Sequence, residues 1–248
     1  MRIERHLSER EIVYRFPASS RAILAATQLA SVPTDTEDAR VIHLPFPNNV
    51  FLPDHARWLS FFGPATDQIA LLTQVHGNRV VYIHSPGYAG KGDAMFTDRP
   101  GVYLAVYTAD CAAVFVTVPD VPAIGIAHAG WRGAHQGIVV RLVRQMQIHW
   151  AVASDRFWVA VSPLLQPCCY QVGPEFLDLF PETFLSQKNG RFVFHLAAVL
   201  QHQCLSLGIP RQQMYFSPEC TACSPLPLYS YRAQRTHKRH LNIIGLRE

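Results

Sequence analysis

The sequence predicts a mixed α/β or α+β fold, in one domain spanning residues 1–248. Three observations predict it. Near-continuous apolar runs recur at 69–72, 80–83, 102–107, 112–118 and 123–127, as expected of strands buried on both faces. Helical periodicity takes over beyond residue 134. The chain has 248 residues, 49% hydrophobic and only 16% charged, so it can bury a large core and does not have the composition of a disordered protein.

In chain order, Pro45, Pro47 and Pro53 punctuate the approach to a short helix at 54–62. The runs 69–72 and 80–83 are strands, and His76-Gly77-Asn78 between them reads as a hairpin or tight turn. Three more strands follow at 102–107, 112–118 and 123–127. Gly130-Trp131-Arg132-Gly133 reads as a turn before a helix at 134–150, whose buried stripe is Ile138, Val139, Leu142, Val143 and Met146 at i, i+3, i+4 spacing. A strand at 157–161 and helices at 176–185 and 196–207 complete the pattern, with Gly208 closing the last helix.

Composition also narrows the function classes. A net charge of +4 without a concentrated basic face argues against a nucleic-acid binder. Asp110 interrupts the most apolar stretch, so no run is long enough for a membrane span. The charged N-terminus lacks the apolar core of a secretory signal, which makes the cytoplasm the expected compartment. There the six cysteines should be reduced thiols.

Twelve histidines invite a metal reading, although neutral His is also an ordinary surface residue. Position selects two of them. His76, Cys111 and His128 each lie at the end of an apolar strand beside small residues, which leaves room for a ligand. Two His and one Cys would make a three-ligand zinc site with a fourth position open to water or substrate. Spacing alone does not decide this, because no compact metal motif unites the three. Cys168-Cys169 and Cys220-x-x-Cys223 are a second candidate site, but neighbouring cysteines make poor tetrahedral ligands and argue against it.

Gln74-Val75-His76-Gly77, Thr108-Ala109-Asp110-Cys111 and His128-Ala129-Gly130-Trp131-Arg132-Gly133 together resemble the signatures of the bacterial laccase-domain, or polyphenol-oxidase-like, family, whose immune-cell relative is FAMIN. Asp93-Ala94, the string 167–173 and Tyr229-Ser230-Tyr231-Arg232 fit the same pattern, which runs from about residue 70 to the C-terminus. The resemblance implies an α+β, layered α/β/β/α domain with mixed buried sheets, similar to the catalytic domain of cytotoxic necrotizing factors, and usually monomeric. It implies a zinc ion, with copper as the alternative, held by His76, Cys111 and His128. It also implies phosphorolysis of purine nucleosides (adenosine, inosine, methylthioadenosine) and deamination of adenosine.

The remaining candidates follow from that reading. Arg132 is the first choice to grip phosphate, because a guanidinium binds it in a bidentate way, and Arg232 is the second. The backbone of Gly130 and Gly133, leading into the predicted 134–150 helix, is a further anion cradle. Asp110 either orients a ligating imidazole, serves as a general acid or base, or satisfies its own turn. Asp93 is assigned to the substrate side with the same alternatives. Trp131 is read as core packing before purine stacking, and His135, His195, His202, His237 and His240 as ordinary polar residues.

The chain departs from the family pattern in places. The Gly-Gly-Val-Ser, Ser-Leu-Asn-Leu-Gly and Gly-Asp elements are missing near the N-terminus, and Arg57 stands where an Asn-Arg arginine is expected. The loop 162–167 has lost two glycines, and Ala233 replaces a second arginine after Arg232. Three other readings therefore stay open: a copper-dependent polyphenol oxidase, a hydrolase with Cys111 as nucleophile and His128 as base, and a metal-holding nucleoside-binding protein with reduced turnover.

Overall fold

The computed structural model describes residues 2–16, 23–30, 42–43, 50–51, 55, 58–59 and 64–247. Its first strands are β1 (Glu4–Leu7), β2 (Glu11–Arg15), β3 (Ile23–Gln28), β4 (Ile42–His43), β5 (Val50–Phe51) and β6 (Ile69–Thr73). The middle of the chain adds β7 (Val80–Tyr82), β8 (Gly87–Lys91), β9 (Ala94–Thr97), β10 (Tyr103–Thr108), β11 (Ala112–Val118) and β12 (Ala123–Ala129). Helices α1 (Trp131–His135) and α2 (Ile138–Trp150) follow. The last part holds β13 (Trp158–Val161), β14 (Gln171–Val172), β15 (Leu185–Lys188), β16 (Arg191–Phe194), α3 (Leu196–Ser206), β17 (Met214–Phe216), α4 (Tyr231–Gln234) and β18 (His240–Leu246).

Two mixed sheets dominate the described residues. One has the order β1-β2-β3-β18-β10-β6-β8, the other β17-β13-β11-β12-β9-β7. They pack face to face: Met95, Phe115 and Ile126 of the second meet Tyr14, Leu104 and Ile244 of the first. The opposite face of β11 carries Val114, Val116 and Val118, which pack on Leu142, Val143 and Met146 of α2. The period-two alternation thus sends β11 into two cores, which is why its sequence is apolar throughout. The outer face of the first sheet, with Leu24, Ile69, Leu71 and Ile243, is covered by Trp58 and Leu59. Residues 55, 58 and 59 are helical, so a helix segment backs each sheet and the α/β/β/α layering holds. The rest of the expected 54–62 helix, the three prolines before it and Arg57 lie outside the described residues.

Four local expectations are corrected. β6 and β7 do not form a hairpin; they belong to different sheets, and the segment between them carries the chain across from one to the other. The 134–150 helix is broken: Gly137 takes φ 71, a left-handed conformation that ends α1 and starts α2. Trp131, Arg132 and Gly133 are therefore helical residues rather than a turn, and Gly130 and Gly133 do not lie at the N-terminus of α2. The 176–185 helix is replaced by two 3₁₀ turns, Pro174–Leu177 and Glu182–Phe184, because Pro181 cannot continue a helical hydrogen-bond ladder. Gly208 at φ 88 closes α3 as expected.

Register brings the site together. In the β11–β12 ladder Ala112 faces Ala129 and Ala113 faces His128, so Cys111 and Gly130 extend the ladder side by side. In the β12–β9 ladder Ala127 faces Ala94, which places Asp93 beside His128 on the other flank. The crossing segment after β6 then brings His76 over the same sheet end.

Candidate metal centre

His76, Cys111 and His128 present ligand atoms that lie within 4.8 Å of one another. The two imidazoles meet edge to face, with centroids 4.7 Å apart and planes at 82°. His128 is 3% exposed, Cys111 is half-buried, and His76 is exposed, so the triad sits at a sheet end with one side open to solvent. The donor set fits a borderline-soft divalent ion in a three-ligand site.

Two backbone conformations aim these side chains. His76 has φ 58 and Asp110, just before Cys111, has φ 87. Both are non-glycine residues in the left-handed region, where local strain is held by the surrounding structure. Gly130 leaves the space that Cys111 occupies: a Cβ there would lie 2.7 Å from the Cys111 Sγ and 3.4 Å from His76 Cδ2.

Asp93 holds the frame. It is fully buried, and its Oδ1 lies 2.8 Å from His128 Nδ1. The backbone N–H of His76 donates to the same oxygen at 2.9 Å, while Gly77 and Val75 donate to Oδ2 at 2.8 and 3.2 Å. One carboxylate thus fixes the His128 imidazole and the His76 backbone, leaving His128 Nε2 for the centre. Burial works to raise the Asp93 carboxyl, but the His128 and backbone hydrogen bonds outweigh it and hold it below the usual range. Of the alternatives that the sequence leaves for Asp93, this is the geometry of a carboxylate orienting an imidazole rather than of one facing substrate, because both oxygens accept from the frame.

Asp110 does not touch an imidazole. Its Oδ1 accepts from the hydroxyls of Thr221 and Ser230, each at 2.7 Å, and its Oδ2 from the backbone N–H of Arg232 at 2.6 Å. It ties the Cys111 strand end to two late segments of the chain.

Electrostatically the three side chains form a coupled set. Burial would raise the Cys111 thiol, but the charge and hydrogen bonds of His128, then His76, bring it down to about 6. Burial would lower His128, yet the Cys111 charge and the Asp93 hydrogen bond carry it up to about 9.

Around this centre lie the predicted anion-binding residues. Arg132 is exposed, with its guanidinium 4.2 Å from the Trp131 ring centroid. Arg232 is partly committed, donating from Nη1 to the Gln171 carbonyl at 2.9 Å and to Cys169 at 3.4 Å. Trp131 packs against Phe176, in keeping with its core reading. The sequence reading missed Tyr170, an 8% exposed phenol within electrostatic reach of Cys111, Arg232, Asp110 and Arg132. Burial raises its pKa, which keeps the phenol a hydrogen-bond donor. Its place two residues after Cys168 in a family-like string was the one available signal. His135 points away, toward the Leu179 carbonyl, and takes no part in the centre.

The four cysteines that the sequence offers as a second candidate site also come together. Cys168, Cys169, Cys220 and Cys223 bring their sulfurs within 4.8 Å of one another. The adjacent pair lies in a helical turn closed by the Tyr170 N–H to the Gln166 carbonyl at 3.0 Å, where successive side chains need not point to opposite sides.

Residues 53–247 match the family model described as multi-copper polyphenol oxidoreductase laccase. The purine nucleoside phosphorylase YlmD of Geobacillus stearothermophilus is 32% identical over 213 residues, which cover 78% of this chain and 76% of that protein. A purine nucleoside phosphorylase of Deinococcus radiodurans is 34% identical over 183 residues, covering 72% and 70%. The crystal structure of the Geobacillus YlmD superposes with a TM-score of 0.83 at 25% identity, covering 98% of this chain and 99% of that one. That of the Bacillus licheniformis hypothetical protein YfiH gives 0.80 at 21% identity over the same shares.

Proposed function

The chain belongs to the multi-copper polyphenol oxidoreductase laccase family, and on that premise we propose that it is a zinc-dependent purine nucleoside phosphorylase. Its substrates are adenosine, inosine and methylthioadenosine, and it also deaminates adenosine. The observation that carries this reading is the convergence of His76, Cys111 and His128, with His128 locked by Asp93. The names of the relatives support the nucleoside and phosphate chemistry.

A zinc ion held by His76, Cys111 and His128 would supply a Lewis acid. The chain supplies the rest. Asp93 fixes the tautomer of His128. Arg132 holds the phosphate dianion by a two-pronged guanidinium contact, with Trp131 under it. Tyr170 donates a hydrogen bond to the bound ligand, and Arg232 adds positive charge beside it. In phosphorolysis a phosphate oxygen bonds to C1′ as the glycosidic bond breaks. The purine leaves with the electron pair and takes up a proton, giving free base and ribose 1-phosphate. Deamination adds water at the amino-bearing carbon and releases ammonia.

The donor sets do not suit multi-copper oxidation. Among the described residues the groups able to hold a metal are this triad and an all-cysteine cluster, not a series of histidine-rich sites. One second reading has a specific observation behind it: Cys111, His128 and Asp93 line up as nucleophile, base and orienting acid. A hydrolase has no need of a second imidazole on the same sulfur, and His76 is that imidazole. Covalent labelling of Cys111 in zinc-loaded protein separates the two, since a liganded thiolate resists it. The direct test is incubation with adenosine and phosphate. Adenine and ribose 1-phosphate are expected; no product above a Cys111→Ser control refutes the proposal.

A further inference from the structure

From the four-cysteine cluster we infer that the chain holds a second, structural zinc ion, bound by Cys168, Cys169, Cys220 and Cys223 and separate from the His76–Cys111–His128 centre. The sulfur spacing is the primary ground. A tetrahedral zinc–thiolate site with bonds of ~2.3 Å has S···S edges of about 3.8 Å. Here the four sulfurs lie within 4.8 Å of one another, and Cys168 and Cys223 approach to 3.5 Å. That is the size of a mononuclear site and too tight for a cluster of several irons. Four thiolates and no other donor select a soft or borderline ion in a closed site.

The backbone is shaped for it from both sides. Cys220 and Cys223 are three residues apart in a turn closed by the Ser224 N–H to the Cys220 carbonyl at 3.0 Å, so they share a face. The Thr221 N–H donates to the Leu164 carbonyl at 3.1 Å, an isolated bridge that joins this turn to the segment leading into Cys168-Cys169. Backbone groups of Gln166 and Ala222 hydrogen-bond to Cys220, the kind of support that orients a metal ligand. A groove of about 500 Å³, lined by Arg5, Gln166, Cys168, Glu219, Cys220 and Cys223, gives an ion access from solvent.

The ion would clamp two segments, at 168–169 and 220–223, that also serve the catalytic side. Thr221, inside the Cys220–Cys223 turn, donates to Asp110, and the Cys169 carbonyl accepts from Arg232. The role is bracing rather than catalysis.

Zinc content of protein purified without chelator tests this. Two equivalents are expected for the wild type and one for Cys111→Ser. The doubly substituted Cys168→Ser/Cys223→Ser, altered at exposed positions, is also expected to keep one. Cobalt(II) loaded into Cys111→Ser should give the strong visible and sulfur charge-transfer absorption of a tetrathiolate. A Cys111→Ser protein free of zinc, with four freely titrating thiols or a Cys168–Cys223 disulfide by mass, overturns the inference. Two equivalents persisting in the double variant overturn it too. If that variant does not fold, the Cys111→Ser measurement decides alone. Failure of the first site shows differently, as Cys111→Ser leaving zinc content unchanged.

Discussion

Asp93 and His128 are joined twice. The carboxylate Oδ1 meets His128 Nδ1 at 2.8 Å, and the His128 backbone N–H donates to the Asp93 carbonyl at 2.7 Å. Ring and main chain are thus fixed by one residue, which also holds the amide of His76. The orientation of two metal ligands rests on this buried carboxylate, and the adjoining β9–β12 register makes the arrangement rigid.

Replacing Asp93 by Asn should therefore weaken the centre without removing a ligand. An amide cannot accept from His128 and from three backbone N–H groups at once, so one of its N–H donors faces another donor. Zinc affinity at the triad should fall by roughly 10- to 100-fold. Competition with a chromophoric chelator measures it, best in the Cys168→Ser/Cys223→Ser background. Unchanged affinity would show that Asp93 is merely structural.

Gly130→Ala should disturb the same centre by volume alone. Gly130 has φ −81, which alanine adopts without strain, so the backbone effect is small. The added methyl, however, falls 2.7 Å from the Cys111 sulfur. Relief requires the thiol to move away from the two imidazoles, at a cost of about 1–3 kcal/mol. Loss of zinc with the fold retained by circular dichroism is the expected outcome; wild-type zinc content would refute it.

How much of this was legible in the sequence depends on which distances matter. His76, Cys111 and His128 stand out because each lies close to the end of an apolar strand and next to small residues. The buried sheets and α3 with its Gly208 cap were likewise readable from local pattern. Asp93 is legible as a candidate, but its place behind His128 is not, because only the β9–β12 register sets it there. The break in the 134–150 helix was hidden in Gly137, whose left-handed φ no periodicity reveals. The adjacency of Cys168 and Cys169 argues against a shared metal site in the sequence alone. In the turn that the chain forms there, closed from Gln166 to Tyr170, the four sulfurs nonetheless converge.

Arg132→Ala should act on phosphate rather than on the metal. The guanidinium lies over Trp131 and is exposed, so its loss leaves the fold and the zinc triad intact. A charge-assisted hydrogen bond is worth about 1.5–3 kcal/mol, so the KM for phosphate should rise on the order of 10- to 100-fold. Arg132→Lys should restore only part of it, since an ammonium cannot make the two-pronged contact. A changed KM for adenosine with that for phosphate unaltered would place the residue elsewhere.

Proton release on zinc uptake should report the ionisation of the metal-free site. With Cys111 near 6 and His128 near 9, the pair between those pH values is thiolate and imidazolium. The sign follows from each group. Cys111 is depressed, so its thiolate is present above about 6 and lost as pH falls through it. His128 is raised, so its proton is present below about 9 and lost as pH rises through it. Ligation needs thiolate and neutral imidazole. Between the two values the pair must then shed one proton, from His128; below about 6 it must shed two, and affinity should fall more steeply with falling pH. Calorimetry in buffers of different ionisation enthalpy, on the Cys168→Ser/Cys223→Ser protein, counts these protons. His128→Ala should move the onset of Cys111 alkylation in metal-free protein upward toward the ordinary thiol range, because the main cation that lowers it is gone. An onset left near 6 would assign the depressed thiol to another cause.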